Sequence, residues 1–350
     1  MNESYYYIEE DGSTIWKHWV NVWVPDDKII DKELMDTALM LIDGNHNNKN
    51  PPSMDDTMIK YGRFFTTITG SIFVGLKQIP NENLVFTNDW KDRRSEDAII
   101  ALTWRHFLDY PDQPEWLLRF PMVKASLRAM DMVSEFAVSH LQYPPITRWG
   151  ITGASKRGWT TWMVGAVDPE RVKMLMPIVL DCLNMKKVFH QMWENTGNWT
   201  FPMNDYWLEG ILGRLDDVNM AAMTALIDPY EYRERLTMPK MIVSSTGDEF
   251  FMPDDSYLFF NDLPEPKYFR MLPNAEHSTV ISGLTTPHYL FSARSIFLSA
   301  MKGKLVWFKL EKKSSRLKYA FVRFGIQNLD IVKPLLLRIR TTKIFMEHVR

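Results

Sequence analysis

The six residues Gly153-Ala154-Ser155-Lys156-Arg157-Gly158 decide the fold, because they place a serine between two close glycines. The strand-like run Thr147–Thr152 precedes them, and a helix-like run follows. This layout is typical of a nucleophile elbow, in which small neighbours permit a tight strand-to-helix turn that leaves the serine Oγ exposed. The commoner pattern has glycine two positions after the serine, where this chain has Arg157. An ordinary strand-to-helix loop with a capping serine is therefore the alternative interpretation.

Two later strand-like runs each lead into a residue that suits a catalytic triad. Lys240–Ser245 is followed by Asp248, and Tyr268–Leu272 is followed by His277. The order serine, acid, histidine along the chain is the order that the α/β-hydrolase connectivity requires. We therefore predict Ser155 as the nucleophile, His277 as the general base and Asp248 as the acid that orients the imidazole.

The acid leaves an alternative open. Asp181 also follows a strand-like run, Met174–Leu180, and competes with Asp248 for the same role. Taken singly, Asp248 suits a turn or a helix cap, and His277 suits a surface site. The triad prediction therefore depends on the two residues occurring together in the required order.

Backbone N–H groups that stabilise an oxyanion are predicted at two places. The loop Asp43-Gly44-Asn45-His46-Asn47 follows the compact strand-like run Ala38–Ile42 and occupies the position that supplies one donor in this fold, with Asn45 as the candidate. The second donor is the N–H of Lys156, the residue after the nucleophile. A polar turn without a catalytic role is the alternative for the first loop.

Three segments together resemble a known family. They are WGITGASKRGWTTWMVGAVDPERVKMLMPIVLDCLNM at Trp149–Met185, STGDEFFMPDDS at Ser245–Ser256 and LPNAEHS at Leu272–Ser278. They resemble the PhoPQ-activated pathogenicity-related family, over roughly residues 5–303 of this chain. The resemblance implies an α/β-hydrolase fold, usually in secreted proteins, and kinship in fold with serine peptidases and esterases. Members are known partly as extracellular growth-regulating signals, so an enzyme and a signal both stay open.

The length and the pattern of apolar residues agree with this fold class. A chain of 350 residues that is 45% hydrophobic can build one large core. Strand-like runs at Ile15–Val24, Ser71–Leu76 and Leu84–Phe86 precede a segment, 123–141, with apolar residues at helical spacing. Alternating strands and helices predict an α/β protein with a doubly wound, mostly parallel sheet.

Two regions depart from this alternation. Residues 182–239 are irregular and aromatic, and we predict that they form a cap inserted into a hydrolase-like domain of residues 1–300. Most of its aromatic side chains are expected to pack the cap onto that domain, and lining a substrate pocket is the alternative for one or two of them. Residues 301–350 hold 13 Lys+Arg against 3 Asp+Glu. This basic tail is interpreted as a segment for acidic surfaces or as an atypical end outside the folded domain.

Several classes of function and location have little support in the sequence. The formal net charge of −2 gives no reason to expect a nucleic-acid partner, and no metal-ligand or cofactor-binding pattern occurs. Cys182 is the single cysteine, and we expect it to be a buried structural thiol. No signal peptide is visible and no run is long enough for a membrane span, so a cytoplasmic location competes with the extracellular one that the resemblance implies. The sequon Asn198-Trp199-Thr200 would carry a glycan only in a secreted chain.

These observations predict a serine hydrolase that acts by acyl transfer on a peptide or an ester. The alternative is a secreted signalling protein that uses the same fold to bind a cell-surface receptor.

Overall fold

The computed structural model describes residues 15–47, 52–53, 56–87, 89–278, 287–303 and 340–346. Within these ranges one sheet holds eight strands in the order β7-β6-β5-β4-β2-β3-β1-β8. The strands are β1 (His18–Val24), β2 (Thr37–Ile42), β3 (Ile72–Leu76), β4 (Arg148–Ala154), β5 (Val172–Ile178), β6 (Lys240–Ser245), β7 (Lys267–Leu272) and β8 (Arg340–Met346).

The sheet is mostly parallel. Strands β3, β2, β4, β5, β6 and β7 pair in parallel with their neighbours, whereas β1 is antiparallel to β3 and β8 is antiparallel to β1. Every residue of β2 and of β6 is buried, as expected for strands covered by helices on both faces. The predicted doubly wound, mostly parallel α/β sheet is confirmed.

Helices cover both faces of the sheet. One apolar cluster contains Val133 of α3 and Trp162 of α4, and the other contains Phe65 of α1 and Phe297 of α8, whose rings meet edge to face at 5.2 Å. The described helices are α1 (Thr57–Thr69), α2 (Glu96–Asp109), α3 (Arg119–Leu141), α4 (Lys156–Val167), α5 (Met185–Thr196), α6 (Asn204–Leu208), α7 (Val218–Ile227) and α8 (Pro287–Lys302).

The structure differs from the sequence predictions in two elements. The strand predicted at Leu84–Phe86 is absent, and Leu84 forms only an isolated bridge with Arg94. The irregular segment predicted as a cap lies between β5 and β6 and contains three helices, α5, α6 and α7. These helices have 12, 5 and 10 residues, so each is short beside the 23-residue α3.

Part of the basic tail belongs to the sheet. All seven residues of β8 pair with β1, from Arg340 opposite Val24 to Met346 opposite His18. Strand β8 is therefore the outermost strand beside β1. The division of the chain into residues 1–300 and 301–350 stays a prediction.

Candidate active site

Ser155 lies on the turn between β4 and α4 in a conformation that few residues adopt. Its φ of 56° and ψ of −128° fall outside the common regions, and its N–H donates to the carbonyl of Ile178 at 2.9 Å. Such strain costs about 1–3 kcal/mol and persists only where the surroundings enforce it. A Cβ on Gly153 would lie 2.7 Å from the carbonyl oxygen of Arg157, so this turn needs a glycine before the serine. This geometry is that of a nucleophile elbow.

Arg157 occupies the position where glycine is usual, and its side chain connects the elbow to two other segments. It donates to the two Glu96 carboxylate oxygens at 2.8 and 2.6 Å and to the carbonyl of Ile79 at 2.5 Å. The guanidinium also packs on Gly44, where an added Cβ would lie 2.8 Å from its Cζ. Arg157 is thus tolerated at this position because its side chain extends out of the turn. There it binds Glu96 of α2 and packs on Gly44 of the Asp43–Asn47 loop, which holds both segments against the elbow.

Asp248 and His277 follow neighbouring parallel strands, so both lie at the carboxyl edge of the sheet. The Nδ1 atom of His277 is 2.9 Å from each of the two Asp248 carboxylate oxygens. Asp248 Oδ1 also accepts the N–H groups of Phe250 and Phe251, at 2.8 and 2.9 Å. The turn after β6 therefore holds the carboxylate in one orientation against the imidazole.

The imidazole of His277 is buried and held on several sides. Its backbone N–H donates to Glu249 Oε2 at 3.0 Å, and its ring lies 4.5 Å from the ring of Phe250 and 5.7 Å from that of Phe251. The Nε2 atom is buried without a hydrogen-bond partner in the described parts of the chain. With Nδ1 on the aspartate, Nε2 is the ring atom that can accept a proton from a substrate or a nucleophile.

Asp181, the rival acid, has different surroundings. Its side chain is buried, and Oδ1 has no hydrogen-bond partner among the residues that the structure describes. Burial raises the pKa of Asp181 to about 7; the Ser244 hydroxyl opposes this rise and the Asp248 charge adds to it. The structure thus brings His277 to Asp248 and not to Asp181.

Ser155 lines a small, partly open pocket. Its free volume is about 20 Å³, which is room for about one water molecule. Phe189, Met203 and Tyr206 come from the segment between β5 and β6, so this segment supplies part of the wall of the pocket. The remaining lining residues are Asp97, Ile100, Trp104, Lys156, Trp159, Leu180, Cys182, Phe250 and Phe251.

The two predicted oxyanion donors lie in different surroundings. Lys156 begins α4, and its ammonium group is 2.7 Å from carboxylate oxygens of both Glu96 and Asp97. Asn45 is exposed, has a φ of 101° and accepts the N–H of His46 on its side-chain oxygen at 2.8 Å. The roles of the Lys156 and Asn45 N–H groups stay predictions.

A larger cleft of about 680 Å³ lies on the surface of the cap. Trp193, Trp199 and Trp207 line it, together with acids and Arg214, and it contains none of the predicted triad residues. Among the described residues no group of three metal-ligating side chains occurs. In the same residues no helix is both long enough and apolar enough to cross a bilayer.

The sequence analysis missed several residues around the site. The N–H groups of Phe250 and Phe251 had a local signal, because an aspartate at the start of a turn often binds the N–H groups two and three residues later. The pairing of Arg157 with Glu96 had no such signal, since 61 residues separate the partners. Buried Asp255 accepts the N–H of Met252 at 2.9 Å and also went unnoticed.

Comparison with known sequences agrees with the resemblance seen in the motifs. The family model of the PhoPQ-activated pathogenicity-related protein matches residues 6–296. Autocrine proliferation repressor protein A of Dictyostelium discoideum is 42% identical over 275 residues, which are 77% of this chain and 53% of that protein. The chain thus spans about half the length of this curated relative.

Comparison with solved structures identifies the fold. The acetyl xylan esterase from Paenibacillus sp. R4 is similar, with 13% identity, a TM-score of 0.53 and coverage of 82% of this chain and 80% of the esterase. Acetyl xylan esterase 1 from Thermoanaerobacterium sp. JW/SL YS485 has 14% identity, a TM-score of 0.52 and coverage of 80% and 78%. At such low identity the likeness concerns the fold alone, and it confirms the predicted α/β-hydrolase fold.

Proposed function

Because the chain belongs to the PhoPQ-activated pathogenicity-related protein family, we propose that it is a serine hydrolase that acts on esters or peptides by acyl transfer. One observation carries the proposal. His277 Nδ1 is bound by both carboxylate oxygens of Asp248 at 2.9 Å, which leaves its Nε2 atom for proton transfer. Ser155 supplies the nucleophile on its strained turn.

In this mechanism the Ser155 Oγ atom attacks the substrate carbonyl while His277 Nε2 takes its proton. The histidine then gives the proton to the leaving group, and water releases the acyl group in a second round of the same steps. Asp248 stays ionised, orients the imidazole and stabilises its charged form. The N–H groups of Lys156 and Asn45 would stabilise the oxyanion.

A fluorophosphonate probe tests the proposal, because it labels an activated serine. Wild-type protein should be labelled, and Ser155→Ala should lose the label while keeping its melting temperature, since one hydroxyl at a turn contributes little to stability. Ser139→Ala, which removes an exposed serine hydroxyl from α3, is the control and should be labelled normally. A folded Ser155→Ala protein that still takes the label would contradict the assignment.

A second candidate is an extracellular signal that binds a cell-surface receptor. It is favoured by the 42% identity to a protein named as an autocrine proliferation repressor and by the small size of the pocket beside Ser155, about 20 Å³. The same variant separates the two functions. If wild-type protein and Ser155→Ala slow the proliferation of cultured cells equally, the signal acts without catalysis.

A further inference from the structure

We propose that the cleft of about 680 Å³ on the cap is a binding site for a neutral oligosaccharide, whose pyranose rings stack on the indoles of Trp193 and Trp207. The site is separate from the chemistry of Ser155, because none of the predicted triad residues lines it. It adds a second binding function to the proposed hydrolase and does not depend on catalysis.

The exposure of large indole rings at the cleft carries the first step. Trp193 and Trp207 are 46% and 62% exposed, although tryptophan is usually well buried. The ring of Trp199 lies 5.3 Å from that of Trp193, measured between centroids, at an interplanar angle of 47°. Exposed apolar surface in a concave site marks a place where a ligand binds. The volume of the cleft also falls within the range of small-ligand sites, roughly 300–1,000 Å³.

The charges at the cleft are balanced, which favours a neutral ligand. Asp216 is 2.6 Å from the ammonium group of Lys186, and Asp217 is 3.1 Å from the guanidinium group of Arg214. A cationic ligand would compete with a cation that is already in place, and an anionic ligand would meet two carboxylates. Sugar hydroxyl groups both donate and accept hydrogen bonds, so a sugar can use the carboxylate oxygens and the guanidinium N–H groups of the same lining.

The walls of the cleft are joined to one another and to the main domain. Asp216 lies 3.4 Å from His190 Nε2, which connects the turn before α7 to α5. Arg214 donates to Asp109 Oδ1 at 2.5 Å, which connects the same turn to the end of α2. A site whose walls are already in place loses less free energy to ordering when it binds a ligand.

The helices that form the cleft also form part of the pocket beside Ser155. In α5, Phe189 lines that pocket, and the next residue, His190, lines the cleft. In α6, Tyr206 lines the pocket and Trp207 lines the cleft. The two sites thus use different faces of the same two helices, so an oligosaccharide in the cleft leaves the pocket beside Ser155 unoccupied.

Isothermal titration calorimetry of the full chain with cellotetraose and with chitotetraose tests the proposal. Both probes are neutral, and their equatorial substituents leave each ring face apolar, which suits stacking on an indole. We expect wild-type protein to bind at least one of them and Trp207→Ala to raise its Kd by at least about tenfold. Trp90→Ala is the matched control, because Trp90 is 61% exposed but lies outside the lining of the cleft. It should keep the wild-type Kd.

If Trp207→Ala does not fold, Trp193→Ala removes the other exposed ring of the cleft and should raise the Kd in the same direction. Choline is titrated beside the sugars, because a quaternary ammonium is the other ligand that aromatic faces bind. Wild-type protein that binds neither oligosaccharide, with or without binding of choline, would overturn the proposal. An equal rise in Kd in Trp207→Ala and Trp90→Ala would overturn it as well.

Discussion

Asp181 and Asp248 follow neighbouring strands of one sheet, yet only one of them receives hydrogen bonds that suit a charged carboxylate. Asp248 accepts two backbone N–H groups from its own turn and is bound to His277. Asp181 is buried after β5, with one oxygen unpartnered within the described residues. The position after a strand therefore does not by itself make a catalytic acid. The turn that follows the strand must also supply donors.

Two buried acids near Asp248, Asp181 and Asp255, have raised pKa values. Burial raises the pKa of Asp181 to about 7, and burial followed by the charge of Asp181 raises the pKa of Asp255 to about 8. Near neutral pH these groups hold protons for a large part of the time. In their protonated forms Asp181 and Asp255 add no negative charge near Asp248.

The largest expected effect comes from removing the charge of Asp248. Asp248→Asn keeps the shape of the side chain but no longer holds the imidazole in the correct tautomer, so turnover should fall by about 10⁴-fold. The measurement is kcat on p-nitrophenyl acetate, with fluorophosphonate labelling rate as a second readout. Activity of Asp248→Asn within tenfold of wild type would remove Asp248 from the triad.

Asp181→Asn is the matched variant at the rival position. Because the Asp181 carboxyl does not bind His277 and, with a pKa of about 7, is about half protonated near pH 7, a neutral amide of similar shape should keep turnover within about tenfold of wild type. The same ester assay measures it beside Asp248→Asn. If Asp181→Asn is inactive and Asp248→Asn is active, the roles of the two acids are reversed.

Asp255→Asn tests the protonation of the buried acids through stability. The folded-state pKa of about 8 lies above the ordinary value of 3.8, so between these values the folded chain holds a proton that the unfolded chain has lost. Stability from this group is thus present at low pH and is lost as pH rises, by up to about 1.4 kcal/mol per pH unit. Urea unfolding between pH 5 and pH 8 should show a smaller fall in the free energy of unfolding for Asp255→Asn than for wild type.

The control for that experiment is Asp254→Asn, which removes the same charge from the preceding and less buried position. The charge of Asp254 contributes to the raised pKa of Asp255, so this variant should lessen the wild-type decline by less than Asp255→Asn does. If the free energy of unfolding of Asp255→Asn falls between pH 5 and pH 8 as much as that of wild type, the Asp255 proton does not contribute to the pH dependence of stability.

The sequence predicts the parts of this site that depend on strand ends and chain order. Lys240–Ser245 forms a strand with the predicted bounds because its apolar residues are bounded by a proline and a Thr-Gly-Asp turn. The choice between Asp181 and Asp248 depended on where a turn directs its N–H groups, which residue types alone do not reveal. The small size of the pocket was also hidden, since Trp104 and Tyr206 meet across distant parts of the chain.

The smallest effect on chemistry is expected from the tail. Cutting after Gly303 keeps α8 and the pair of Lys302 with Asp31 at 2.5 Å, but it removes β8 from the edge of β1. The triad candidates lie on or after β4, β6 and β7, away from that edge, so turnover per folded molecule should stay within about twofold of wild type. Exposing the apolar strand β1 should lower the melting temperature and promote aggregation.

Thr342→Pro in the full chain is the control for strand pairing, because proline cannot donate a hydrogen bond to the ladder. It should also lower the melting temperature. Loss of turnover with an unchanged melt would instead show that the tail contributes to the site.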